Sequence, residues 1–95
     1  MSHPVGSHVR NRVEVAFVEA DVEIGFNLVD MAEAESCRGN PLLATRVLED
    51  VEDVFHDIQR RLDRLGVIER GHFEALVREL RRQINQARVR ILGDC

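Results

Sequence analysis

The chain has 95 residues, of which 44% are apolar and 32% are charged, with a formal net charge of −4. This length predicts one domain, and the apolar fraction is typical of a folded globule rather than a disordered chain. The negative charge argues against a general nucleic-acid binder, and the aromatic content of 4% argues against a surface that stacks on single strands.

The N-terminal part of the chain is predicted to be a flexible tail over residues 1–9, followed by a single domain over residues 10–92. The first helix is predicted from Arg10 to Cys37, because its apolar residues recur every three or four positions. A strand is the alternative over residues 13–26, where apolar residues nearly alternate, but no partner strand is evident. The apolar residues form two neighbouring stripes: Val15, Val18, Val22, Val29 and Ala32 in one, and Phe17, Ala20, Ile24, Leu28 and Met31 in the other.

The segment Arg38 to Pro41 carries the clearest turn signal. Gly39 suits the left-handed position after a helix, Asn40 suits an N-cap, and Pro41 suits a first helical residue. A second helix is predicted from there to about Leu65, with Gly66 as its stop. Its apolar stripe is close to a heptad repeat. The stripe comprises Ala44, Val47, Val51, Val54, Ile58, Leu62 and Leu65.

A third helix is predicted to start near Ile68 or Arg70 and to end near Leu92, where Gly93 follows. Because both connections are short, the three segments predict an all-α, antiparallel three-helix bundle with long helices. The apolar stripe of the third helix comprises Phe73, Leu76, Leu80, Ile84, Ala87 and Ile91.

Charge is distributed unevenly along the chain. Residues 10–36 carry two arginines and seven carboxylates, a net charge of −5, whereas residues 69–91 carry six arginines and three glutamates, a net charge of +3. We expect the acidic first helix and the basic third helix to attract each other and to make wrong pairings costly.

The stretch from Leu28 to Val51 resembles the helical hairpin of tetratricopeptide-type repeats. The usual aromatic residue near Glu35 is absent, both predicted helices are longer than a repeat helix, and no second copy follows one period later. The resemblance implies peptide or protein binding and carries no catalytic residues with it. The matching positions are Leu28, Ala32, Gly39, Ala44, Leu48 and Val51.

Two sets of polar residues are candidates for binding a metal or a charged partner. Glu52 and His56 lie one helical turn apart and are candidates for metal ligands, because carboxylate and imidazole at helical spacing can bind a metal. Di-iron bundles use the spacing Glu-x-x-His, whereas the spacing here is Glu52-x-x-x-His56. Glu52 and His56 fall largely off the apolar stripe, so a solvated flank is favoured, and no cofactor and no enzymatic activity are predicted. Arg78, Arg81 and Arg82 form a basic face that would suit phosphates or an acidic partner protein.

The first helix is expected to have more apolar surface than two neighbouring helices would cover. Val13, Phe17 and Phe26 are therefore candidate interface residues, and the chain is predicted to be a non-enzymatic interaction or structural module that forms a homodimer or binds another protein. The alternative is that both stripes are used inside one bundle.

The compartment is predicted from the cysteines and from hydropathy. Cys37 and Cys95 form neither a CxxC pair nor a ligand cluster, which fits a reduced, cytoplasmic protein. Charges interrupt every apolar run, and no basic segment followed by an apolar one opens the chain, so neither a membrane span nor a secretory signal peptide is predicted.

Overall fold

The structure is a computed structural model that describes residues 4–93, with side chains described for residues 12–93. This part of the chain forms three helices, α1 (Pro4–Cys37), α2 (Pro41–Leu62) and α3 (Val67–Leu92), and it contains no strand. The predicted all-α three-helix bundle is confirmed, and the alternative strand over residues 13–26 is wrong. The bundle is long and slim, with extents of 60 × 19 × 14 Å. Of the described helices, none combines the length and the apolar character needed to cross a membrane.

The first helix begins at Pro4, six residues before its predicted start at Arg10. Proline is well tolerated in a first turn, because the amide hydrogen that it lacks would have no partner there. Residues 1–3 of the predicted tail lie outside the described residues, whereas residues 4–9 form the first turns of α1. With 34 residues, α1 is about 51 Å long and sets the long dimension of the molecule.

The connection between α1 and α2 is a Schellman turn. The amide of Asn40 donates to the carbonyl of Glu35 at 2.9 Å, and the amide of Gly39 donates to the carbonyl of Ser36 at 3.1 Å. Gly39 has φ +86°, so its predicted left-handed conformation is confirmed. Asn40 occupies the N-cap position of α2, but its side chain donates to Glu35 Oε1 at 3.0 Å instead of capping the helix.

The connection between α2 and α3 differs from the predicted one. α2 ends at Leu62 rather than near Leu65, and the amide of Leu65 donates to the carbonyl of Leu62 at 3.0 Å. This tight turn brings the Leu65 side chain into the core, where it is 4% exposed. Gly66 has an extended conformation, with φ −68° and ψ 168°, and precedes α3 as its N-cap. The prediction that Gly66 stops α2 is therefore wrong, because the turn forms before it.

The core runs along the centre of the bundle. α1 faces it with residues separated alternately by four and three positions, and Gly25 fills the gap that the predicted stripe left open. A Cβ atom at Gly25 would lie 2.9 Å from Leu80 Cδ2, so α1 and α3 approach closely at this level. The residues of α1 that are buried in the core are Val18, Val22, Gly25, Val29 and Ala32. The buried residues of the other two helices are Ala44, Val47, Leu48, Val51, Phe55, Ile58, Leu62, Phe73, Leu80, Ile84 and Ala87.

Candidate functional site: the outer face of the first helix

The second apolar stripe of α1 is left on the surface. Val13, Phe17, Ile24 and Met31 are each 46–49% exposed, although they are large apolar side chains. Leu28, the remaining large residue predicted for this stripe, is partly buried and packs against the core. The bundle thus uses one face of α1 and leaves the opposite face uncovered.

This exposed face has the spacing of a coiled-coil seam. Its residues are separated alternately by four and three positions, as in a helix that pairs with another helix along its length. Asn27 is the one polar residue among them. We call this set the outer stripe; its seven exposed members are Val13, Phe17, Ala20, Ile24, Asn27, Met31 and Ala34.

An arginine of α2 contacts residues along one edge of the outer stripe. The Arg61 guanidinium lies 3.4 Å from Glu14 Oε1 and 3.3 Å from Asp21 Oδ2, and its carbon is 4.5 Å from the centroid of the Phe17 ring. Glu14, Phe17 and Asp21 can share one arginine because spacings of three and four residues place them on one flank of α1. Arg64 adds a second positive charge, 3.8 Å from Glu14 Oε2.

The sequence interpretation missed Arg61. The signal was present, because Val47 and Val54 belong to the predicted stripe of α2 and Arg61 follows Val54 by the same seven residues. An arginine at that spacing lies beside the neighbouring helix, where its aliphatic stem packs and its charged end reaches carboxylates.

The other edge of the outer stripe borders a groove between α1 and α3. Phe26 lies in this groove, partly buried and packed against the core, so it is separated from Val13 and Phe17. The exposed carboxylates Glu19 and Glu23 lie on the α1 side of the groove, which makes this edge acidic. The groove has a volume of about 380 Å³ and is lined by Glu19, Val22, Glu23, Phe26, Asn27, Phe73 and Leu76.

The predicted basic face of α3 is largely paired with carboxylates. Arg81 donates to both oxygens of Glu52 on α2, at 3.1 and 3.3 Å, and its guanidinium carbon is 4.1 Å from the centroid of the Phe55 ring. Arg88 also contacts Glu52. Arg81 is therefore directed at α2 rather than at an external phosphate.

The two remaining arginines of the predicted basic face, Arg78 and Arg82, pair within α3. Arg78 lies 3.9 Å from Glu74, and Arg82 donates to Glu79, with 3.0 Å between Nε and Oε1. Hydrogen bonds from Arg82 and from Gln83 lower the pKa of Glu79 from 4.5 to about 2, and the same carboxylate raises the pKa of Arg82. These neighbouring carboxylates reduce the positive potential that the face offers to a partner.

The proposed metal ligands have other surroundings. Glu52 forms ion pairs with two arginines of α3. His56 is exposed, and its ring packs edge to face against the Phe55 ring, with the two centroids 6.5 Å apart. Among residues 4–93, no group of three or more histidine, cysteine, aspartate or glutamate residues is placed to hold a metal ion.

Charge pairing between helices runs mainly through α2. Arg61 ties α2 to α1, and Glu52 ties α2 to α3, whereas Arg90 bridges α3 directly to Glu33 of α1 at 2.7 Å. The expected attraction between α1 and α3 is present in that last pair. α3 therefore lies parallel to α1, with α2 antiparallel to both.

Comparison with known proteins gives no match to a family model, to a curated protein or to a solved structure. What the fold and the surface define is a class: an all-α three-helix bundle whose longest helix carries an apolar seam on each of two sides.

Proposed function

We propose that this protein is a non-enzymatic interaction module that self-associates as a homodimer through the outer stripe of α1. The observation that carries the proposal is the outer stripe itself. It has the spacing of a helix-pairing seam and is half exposed along a helix whose opposite face is already buried. Each of its four large side chains has about half its surface left to bury, which contributes about 1 kcal/mol apiece on pairing.

A second copy of the chain is the occupant that fits this surface. A seam one helix wide needs a partner helix with the same alternation of four and three residues, and α1 supplies that helix. The two edges of the seam also differ in charge. Arg64 lies beside one edge and is mostly exposed, whereas Glu19 and Glu23 lie exposed beside the other. The surface is therefore complementary to itself in shape, and only one of its two edges is acidic, because Arg61 and Arg64 balance Glu14 and Asp21 at the other.

The proposal includes a cytoplasmic location and the absence of a bound cofactor. The sparse cysteines of the sequence, which form no CxxC pair, suit a reducing compartment. Native mass spectrometry of protein purified without added metal reports subunit number and retained ligand together. We expect the mass of two bare chains; a stoichiometric extra mass would contradict the non-enzymatic, cofactor-free module.

Substitution at the centre of the outer stripe tests the interface directly. Ile24→Asp puts a carboxylate from each protomer into the seam, and we expect it to weaken dimerisation at least about 100-fold in sedimentation velocity over a concentration series. Val89→Asp is the control, since Val89 is an apolar residue of α3 that is 71% exposed and does not line the groove beside the outer stripe.

The control variant should keep the dissociation constant of the unmodified protein within about threefold, and circular dichroism should show that both variants remain helical. Monomeric behaviour of the unmodified chain at every concentration would overturn the proposal. Equal loss of the dimer in Ile24→Asp and Val89→Asp would move the interface away from the outer stripe.

A further inference from the structure

We infer that the two copies pair in parallel and in register along α1, so that Asn27 of one protomer faces Asn27 of its partner. The inference rests on the proposed function and specifies the orientation and register of that same site. Two independent features of the outer stripe lead to it: its one polar member and the unequal charge of its edges.

The first feature is Asn27, the polar residue near the middle of an otherwise apolar seam. A side-chain amide that is buried on association needs hydrogen-bonding partners, because leaving it unpaired is costly. Parallel, in-register pairing places the two amides opposite each other, where each donates to the other's oxygen. An asparagine in this setting is a known means of fixing the register of paired helices.

Antiparallel pairing satisfies the amides less well. Centred on Ile24, it matches the full length of the outer stripe but places Asn27 opposite the methyl group of Ala20. Centred on Asn27, it joins the amides, but Phe17 then lies opposite the end of α1 at Cys37 and the first turn of the stripe has no partner. Of these arrangements, only the parallel one both pairs Asn27 with the partner's Asn27 and buries Phe17.

The second feature is the charge of the two edges. A two-fold axis that runs along paired parallel helices brings the α2 edge of one protomer against the α3 edge of the other. Arg61 and Arg64 balance the charges of Glu14 and Asp21 at the α2 edge, whereas Glu19 and Glu23 leave the α3 edge acidic. Parallel pairing in register therefore places the acidic edge of each protomer against the charge-balanced edge of the other and keeps the two acidic edges apart.

An antiparallel two-fold joins like edges instead. When it is centred on Ile24, it brings Glu23 of one protomer near Glu23 of its partner, and two carboxylates at one edge repel each other. Charge repulsion thus disfavours the same arrangement that leaves Asn27 unpaired.

Disulfide trapping distinguishes the orientations. Ala34 lies at one end of the outer stripe, so Ala34→Cys, made with Cys37→Ser and Cys95→Ser, should give a covalent dimer on mild oxidation when the helices are parallel. Ala75→Cys in the same background is the control, because Ala75 is exposed on α3. We expect most of the Ala34→Cys protein and little of the control to be cross-linked.

A mixture of Val13→Cys and Ala34→Cys chains tests the antiparallel alternative, because opposite ends of α1 meet only in that arrangement. A mixed disulfide in the absence of an Ala34→Cys homodimer would overturn the inference. Sedimentation of the Cys37→Ser, Cys95→Ser background separates this outcome from failure of the proposed function. A background chain that dimerises without cross-linking at Ala34 has another orientation, whereas one that stays monomeric contradicts the dimer itself.

The role of Asn27 has its own test in Asn27→Leu. We expect tighter dimerisation, about tenfold or more, together with loss of the unique orientation, because an apolar seam accepts both directions. With the cysteine variants above, Asn27→Leu chains should give Ala34–Ala34 and Val13–Ala34 cross-links together. A dimer that stays exclusively parallel would overturn the assignment of orientation to Asn27.

Discussion

Glu52 on α2 accepts two hydrogen bonds from Arg81 on α3, at 3.1 and 3.3 Å. The sequence placed these residues in two separate hypotheses, a metal site and a basic face, and the structure joins them in one contact. Both side chains are largely withdrawn from solvent, with exposures of 21% for Glu52 and 32% for Arg81. The pair therefore links α3 to α2. It lies on the side of the bundle that is remote from the outer stripe.

Loss of Arg81 should destabilise the bundle. Arg81→Ala removes both hydrogen bonds to Glu52 and the packing on Phe55, so we expect it to lower the free energy of unfolding by about 1.5–3 kcal/mol. Arg82→Ala is the neighbouring control; its exposed pair with Glu79 lies within one helix, and we expect a clearly smaller effect than that of Arg81→Ala. Urea denaturation followed by circular dichroism measures both. Equal effects of the two variants would mean that the contact with Glu52 adds no stability.

The arginine at the other side of α2 should behave in the same way. Arg61→Ala leaves Glu14 and Asp21 without their shared cation and uncovers one side of Phe17, so we expect a loss of about 1–3 kcal/mol. Arg60→Ala, one residue away, removes only an exposed pair with Asp57 and should change stability by less than about 0.5 kcal/mol. Thermal unfolding at fixed protein concentration compares them. The prediction fails if Arg60→Ala is the more damaging change.

Three glycines should respond to alanine in three different ways. At Gly39, φ +86° penalises a side chain, and we expect a loss of about 1–2 kcal/mol. At Gly71, a helical position where a Cβ atom meets nothing within 4 Å, we expect a gain of up to about 1 kcal/mol.

At Gly25 the same helix-propensity gain is opposed by the clash with Leu80. Leu80 is fully buried and cannot move away freely, so we expect Gly25→Ala to be destabilising overall. Denaturation midpoints of the three variants rank these effects. A gain at Gly25 equal to that at Gly71 would show that α1 and α3 are not tightly packed there.

The Glu79 pair on α3 predicts a specific titration. The pKa of Glu79 is lowered to about 2 by its hydrogen bonds from Arg82 and Gln83, so Arg82→Gln should raise it towards 4.5. Because the folded pKa lies below the unfolded one, the pair contributes to stability above about pH 4.5, and this contribution is lost as the pH falls towards 2. Carboxyl chemical shifts in an NMR titration report the pKa directly. Arg78→Gln, which removes the partner of Glu74 instead, should leave the pKa of Glu79 unchanged.

Local signals in the sequence were sufficient for the helices and for one of the two turns. Apolar spacing identified three helices, and Gly39 with Pro41 marked the first turn, because these residues act through their own backbone geometry. The same kind of reasoning misplaced the second turn. The Leu65 side chain is buried in the core, and the chain therefore turns before it reaches Gly66. The start of α1 was also placed too late.

The candidate site could be predicted only in part. Val13 and Phe17 were selected together with Phe26, yet Phe26 lies on another side of α1, in the groove with α3. Sequence periodicity shows that α1 has two apolar stripes, but it does not show which one the bundle covers. That choice depends on where α2 and α3 pack.

By itself, then, the sequence determined the number and type of helices and the two-sided apolar character of α1, because these follow from spacing along one chain. The tertiary structure alone decided that Gly25 and its neighbours face the core while Ile24 and the rest of the outer stripe face solvent. It also decided that Glu52 and Arg81 satisfy each other. Such pairings join residues distant in the sequence, and they are fixed by how whole helices pack rather than by any local preference.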